Sequence, residues 1–259
     1  PLFSPALKIT RASESIGLYL GRQCVSVVHI VCGKSSCEVV NAEEIPCRLY
    51  REKEVLNKGE LESALARVKS VIHKNGLPVH VALPSALGSS FIKTVKTVPK
   101  NNSLREALVR MEIGDERNSG QSIEVKYQIL GPHRGGYLFY GAAMPVSIVN
   151  TLQQQVRKAN LVLDKLNFDY VYIFNHVRDR FYVKNESAIV ITLNADSWAS
   201  MVWDQQGRLR LIRSGWRRES AESGAGSEFK DLATEIERHM RAYVHRDEPE
   251  GIARVLVSF

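Results

Sequence analysis

Three strand-like runs separated by short turns, one amphipathic helix and a short returning strand follow each other between residues 16 and 83, and the same order recurs between 188 and 258. In the first unit the runs are Ile16–Gly21, Cys24–Val31 after an Arg22-Gln23 turn, and Cys37–Ile45 after a turn at 33–36. β-Branched residues dominate the middle run and both bounding turns are short, which predicts an antiparallel meander. Leu61, Leu65, Val68 and Ile72 then form one apolar stripe of a helix over Glu60–Lys74, stopped by Asn75-Gly76 with Pro78 just beyond. Val79–Leu83, closed by Pro84, reads as a buried strand returning beside the meander.

The second unit has runs at Ala188–Leu193, Ser197–Asp204 and Leu209–Arg213, with Gln205-Gln206-Gly207 turning between the last two. Gly215–Ser227 is polar and rich in Gly and Ser, a loop by composition. The helix Phe229–His245 presents Phe229, Leu232, Ile236, Met240 and Tyr243, and Ile252–Ser258 is the returning strand. Between the units, residues 88–140 read as a small α+β insertion. It holds a strand over Ser90–Val98, a helix from a Ser103/Glu106 capping box to Ile113, and strands at Ile123–Leu130 and Gly136–Ala142. Pro145 opens a helix ending near Ala159, and Leu161–Phe168 connects to another at Tyr170–Val177. The expected division is a flexible tail over 1–14, a first half over 15–87 plus 141–186, the insertion over 88–140, and a second half over 187–259.

No apolar run approaches the roughly 20 residues that cross a bilayer, and the N-terminus shows neither an apolar h-region nor a small-residue cleavage site. The expected location is therefore cytoplasmic. Cys24, Cys32, Cys37 and Cys47 form no CxxC pair, so no zinc site is read from them. Cys32 and Cys37 flank the 33–36 turn and could face each other. In a reducing compartment all four are expected as free, mostly buried thiols.

Two meander-plus-helix units in series are the plan of the actin, Hsp70 and sugar-kinase fold. Residues 16–30 resemble the first phosphate loop of that superfamily, and residues 188–202 the second. Within it, three stretches are similar to the PilM/GspL group of type IV pilus and type II secretion proteins. They are Ala82-Leu83-Pro84-Ser85, then Glu124 through Gly131, then the Ala142–Phe168 run with its helix ending before Asn160-Leu161. The resemblance implies a reduced actin-like α/β fold with two related βββαβ halves. It also implies vestigial phosphate loops at Gly21, Arg22, Gln23 and Cys24 and at Asn194, Ala195 and Asp196. Its inserted subdomain receives the cytoplasmic tail of an inner-membrane partner or docks a motor ATPase, which points here to Val95, Leu104, Leu108, Met111, Val125, Tyr127 and Ile129.

The departures from the pattern bear on chemistry. Tyr19, Thr192 and Asn167 align where the superfamily keeps carboxylates for magnesium, Ser26 replaces a lysine, and Asn194 replaces a glycine. A hard cation wants oxygen ligands that include a carboxylate beside the phosphates, and without one the γ-phosphate is poorly polarised. The expectation is an adaptor that does not hydrolyse ATP, with weak nucleotide binding left open. It would be peripheral to the bacterial inner membrane, or the cytoplasmic piece of an anchored protein, and a homodimer is compatible with it.

Two rival classes are a working ATPase or sugar kinase of this fold, and a basic nucleic-acid-binding protein. The formal net charge is +7, so anionic partners must be weighed. Lys93, Lys96, Lys100, Arg105 and Arg110 cluster, as do Arg208, Arg210, Arg213, Arg217 and Arg218, but single-strand binding wants exposed aromatics among them. Phe91 alone lies near the first cluster, and Trp203 and Trp216 flank the second. No nucleic-acid partner is expected. Ser4, Ser85 and Ser214 lack a nucleophile elbow, and His239 and His245, six residues apart on one helix, are badly spaced for a shared metal. No catalytic or metal-ligating residue is assigned.

Overall fold

A computed structural model describes residues 13–33, 36–50, 56–72, 74–114, 122–194, 197–217, 233–238, 240, 241, 243 and 252–258. The chain divides into two compact units. One comprises Pro1–Leu87, Asn118–Glu124 and Met144–Tyr172, and the other Gly88–Arg117, Val125–Ala143 and Ile173–Phe259.

The first unit is built on a five-stranded sheet in the order β3-β2-β1-β4-β8. Strands β1 (Ser13–Leu20), β2 (Cys24–Cys32) and β3 (Cys37–Pro46) are the antiparallel meander. Alternation decides which side of it is core: Ile16, Leu18 and Leu20 on β1 and Val25 and Val27 on β2 are buried. Helix α1 (Lys58–Ile72) buries Leu61, Ala64, Leu65, Val68 and Ile72, the stripe that its sequence period demands. Strand β4 (Pro78–Leu83) then runs parallel to β1, as a crossover through a helix allows. After α3 (Val146–Lys158), β8 (Val162–Phe168) adds a third parallel strand outside β4.

The second unit repeats the pattern. Strands β9 (Ala188–Leu193), β10 (Ser197–Trp203) and β11 (Leu209–Trp216) are antiparallel neighbours, and β12 (Arg254–Ser258) returns parallel to β9. Helical residues between β11 and β12 place Ile236, Met240 and Tyr243 on Ile189, Ile191 and Val202. A three-stranded sheet, β5 (Ser89–Val95), β7 (Gly136–Pro145) and β6 (Ile123–His133) in that order, belongs to this unit together with α2 (Asn102–Ile113). The fold is a reduced actin-like α/β fold, with meander, helix and parallel return present in both halves.

Several local expectations need correction. Residues 162–168 are not a connection but strand β8, whose exposed Asp164 is tolerated on a sheet edge. The N-cap of α2 is Asn101, whose Oδ1 accepts from Leu104 N at 2.8 Å, so the Ser103/Glu106 box does not open the helix. Ser13 and Glu14 are strand residues, and Glu14 bonds His29 on β2 and Lys74 after α1, each at 2.7 Å. Cys32 and Cys37 are not free thiols but a disulfide across the β2–β3 hairpin, while Cys24 and Cys47 are not disulfide-bonded. Helix α4 (Asp169–Phe181) is longer than its sequence period suggests.

Candidate functional site

The expected first phosphate turn, Gly21–Gln23, joins β1 to β2. Its carbonyls are already engaged. Arg22 O accepts from Leu49 N at 3.1 Å and Gln23 O from Cys47 N at 3.0 Å, while the buried Tyr50 hydroxyl donates to Leu20 O at 3.1 Å. The 47–50 segment therefore fixes the shape of the turn without any ligand. Burial is the main cause that pushes the Cys47 thiol up to about 11, with neighbouring Cys24 adding to it, so this sulfur is a poor nucleophile.

Register places Tyr19 and Asn167, two of the residues expected where the superfamily keeps carboxylates, in one row. Tyr19 pairs with Ala82, and Ala82 pairs with Asn167, across β1, β4 and β8. The Asn167 amide donates to the Tyr172 hydroxyl at 3.4 Å, and that hydroxyl donates to Val81 O at 3.5 Å. Burial raises the Tyr172 phenol above its ordinary value, so it stays neutral. This row thus carries a phenol, a methyl and an amide, with no anion for a cation. One carboxylate at this end of the strands escaped the sequence reading: Asp169, buried at the first position of α4 directly after β8, accepts from Tyr170 N at 2.8 Å. Its position one residue beyond a strand's C-terminal end was the available signal.

In the second loop, Asn194 N donates to Ser197 O at 2.9 Å, and Arg217 donates to Asn194 O at 2.9 Å. Ala195 and Asp196 lie outside the described residues. Thr192 is buried and its hydroxyl is spent on Ala199 O at 3.4 Å. Among the described residues, no group of three His, Cys, Asp or Glu side chains could hold a metal ion.

The insertion is a different kind of surface. Phe91 on β5, Phe139 on β7 and Tyr127 on β6 stack, at 6.3 and 5.7 Å between ring centres, and the Arg105 guanidinium lies 5.6 Å from the Tyr127 ring. Helix α2 lies against this row. It buries only Val109, and a Cβ built at Gly141 would sit 3.1 Å from Val109 Cγ2, so the glycine leaves room for that contact. Two of its apolar residues face outward instead: Leu104 is 56% and Met111 68% exposed, while Leu108 is half-buried. Ile129 on β6 is 38% exposed and Tyr137 on β7, absent from the sequence reading, 44%. Of the remaining expected contacts, Val95 and Tyr127 are half-buried and Val125 is core.

Much of the basic charge is already engaged. Lys93 pairs with Glu112, Arg105 donates to Pro99 O, and Arg208 is held by Asp204. Arg210 is buried beside His133, and Trp203 is fully buried. Of the aromatics next to the two clusters, Trp203 is buried and Phe91 and Trp216 are half-buried, whereas a stacking platform wants exposed rings. Arg218 lies outside the described residues.

A strand meander with a helix and a parallel return, present twice, defines the actin-like class. Solved structures agree. The chain is similar to a PilM-PilN type IV pilus biogenesis complex, with TM-score 0.68, 15% identity, and coverage of 94% of this chain and 79% of that one. It is also similar to a Bacteroides thetaiotaomicron protein with an actin-like ATPase fold and unknown function, with TM-score 0.53, 10% identity, and coverage of 98% and 94%. An exopolyphosphatase-like protein matches at TM-score 0.50 and 7% identity, over 96% of this chain and 66% of that one. At these identities the likeness is one of fold. No protein-family model matches the sequence, and no curated protein matches it either.

Proposed function

We propose that the chain is a non-catalytic adaptor of a type IV pilus or type II secretion assembly, working on the cytoplasmic side of the inner membrane. Its insertion would receive the cytoplasmic tail of a membrane partner, and the assembly's motor ATPase would be linked through it. The observation that carries this reading is the outward apolar set Leu104, Met111, Ile129 and Tyr137 on a subdomain whose own core is closed by Val109 and the Phe91–Phe139–Tyr127 stack. Exposed apolar residues grouped on one small subdomain favour a protein contact. The fold of the PilM-PilN complex supports the choice of machine. Among the described residues no helix is long and apolar enough to cross a membrane.

The test is co-purification with solubilised inner membranes on the tagged chain. The reading expects a membrane protein with a short cytoplasmic segment in the eluate, and loss of it when Leu104 and Met111 are both changed to Asp. Capture that ignores both changes refutes the insertion as the docking face.

A second reading, an active phosphohydrolase, is favoured by one observation, the buried carboxylate of Asp169 beyond β8. Magnesium-dependent ATP turnover that disappears in Asp169→Asn would establish it. The adaptor reading expects no turnover above a blank in either chain.

A further inference from the structure

The β2–β3 hairpin carries a device that the adaptor reading leaves unused. From Cys24 to His29 the two strands pair in one register, ending at His29 opposite Asn41; beyond it Ile30 faces Val39, so Val40 is an extra residue, a bulge. Outside the bulge Val31 faces Glu38 and Cys32 faces Cys37, and the last pair is the disulfide. Gly33 N donates to Ser36 O at 2.8 Å. The adjoining Cys32/Cys37 pair is thereby a non-hydrogen-bonded one, where facing side chains come closest, and its Cα atoms are 4.0 Å apart. Strand β3 is the outer strand of its sheet, and Val39 and Val40 are 59% and 54% exposed on it.

The disulfide is compatible with only one of two registers. If the inner register ran on without a bulge, Ile30 would face Val40, Val31 would face Val39, and Cys32 would face Glu38. The two cysteines would then no longer be opposite. Because side chains alternate, the change would also carry Val39 from the face of Ile30 to the face of Val27, His29 and Val31.

We propose that Cys32–Cys37 is a redox latch, holding β3 in the bulged register that presents Val39 and Val40 on the sheet's open edge. Reduction by a dithiol releases it. One thiolate of the dithiol attacks a sulfur and breaks the S–S bond, and its second thiol resolves the mixed disulfide. Cys32 and Cys37 each leave as a thiol with one proton, and the dithiol, having given two electrons, leaves as a disulfide. The outer part of β3 then moves by one residue into a continuous ladder and Val39 turns inward. Cys37 is exposed, which gives the reductant access. The two remaining cysteines lie at the other end of the hairpin, where Cys24 faces Pro46.

The test is nuclear magnetic resonance on the whole chain before and after treatment with a dithiol, with alkylation and mass measurement reporting the state of each cysteine. The latch predicts that Cys32 and Cys37 resist alkylation until reduced. It predicts that the cross-strand contacts of Val39 move from Ile30 to Val31 on reduction. The same move is expected without reductant in the doubly substituted Cys32→Ser, Cys37→Ser chain. Free thiols at both positions in protein prepared without reductant overturn the proposal. So does a Val39–Ile30 contact that persists after reduction, and so does loss of both contacts, which would mean that the tip only frays.

Discussion

Val109→Ala tests how the insertion is held together. Val109 is the one fully buried residue of α2, and it packs beside Phe91 and Gly141. The change removes two methyl groups, a transfer loss of about 1.6 kcal/mol at roughly 0.8 kcal/mol for each buried carbon. A small residual cavity adds roughly 0.5 kcal/mol. Alanine's better helix propensity gives back about 0.5 kcal/mol. The net loss expected is thus about 1.5 kcal/mol, read from urea unfolding followed at equilibrium. Amide exchange across 102–113 should accelerate along with it. Leu104→Ala, on the exposed side of the same helix, should change stability by less than about 0.5 kcal/mol. Equal losses for the two would mean that α2 is not seated through Val109, and that Leu104 is core rather than surface.

Gly141→Ala should destabilise by about 1–3 kcal/mol, because its Cβ would come 2.4 Å from Phe91 Cε1; a neutral result would remove the Phe91–Val109–Gly141 contact from the account. Glu14 is held below its ordinary 4.5, first by Lys74 and then by His29, against the opposing effect of burial. A carboxyl lowered on folding contributes stability above its unfolded pKa and loses it as pH falls through the folded one, so Glu14→Gln should flatten the acid limb of the stability curve below about pH 4.5. With its thiol pushed up to about 11, Cys47 should alkylate in native protein only slowly at pH 8 and fast only near pH 11. Rapid labelling at pH 8 would refute the burial argument. Tyr50→Phe should cost about 1 kcal/mol by withdrawing the donor from Leu20 O, visible as a lower urea midpoint.

What could be read from the chain follows from how local each signal is. The meander strands and α1 are legible because alternation and the helical period act within a few residues, as with Ile16, Leu18 and Leu20, or Leu61, Leu65 and Val68. Strand β8 is not, because Asp164, Lys165 and Asn167 break its apolar pattern and only its pairing with β4 makes it a strand. The Cys32–Cys37 pair depends on a bulge at Val40 that no composition announces, since the unbulged register would set Cys32 opposite Glu38. On α2 the resemblance points to Leu104, Leu108 and Met111 as a docking face, but it does not reveal that the helix is seated by Val109, for which Gly141 on a distant strand makes room. That Tyr19 and Asn167 stand where the superfamily keeps carboxylates is an expectation from the resemblance; the register adds only that the two share one row. Asp169 was missed because its placement depends on where β8 ends.

The adaptor reading is tested most directly by comparing partner capture across two surface variants of known stability. Leu104→Asp with Met111→Asp places charges on side chains that are 56% and 68% exposed, so the unfolding free energy from urea should fall by no more than about 1 kcal/mol, mostly lost helix propensity. Lys93→Ala, Lys96→Ala and Lys100→Ala together remove charge from the neighbouring basic cluster. The account predicts that the first variant no longer captures the membrane protein, that the lysine variant still does, and that neither binds DNA or RNA. It is contradicted if the Leu104/Met111 variant retains capture while the lysine variant loses a salt-sensitive affinity for nucleic acid.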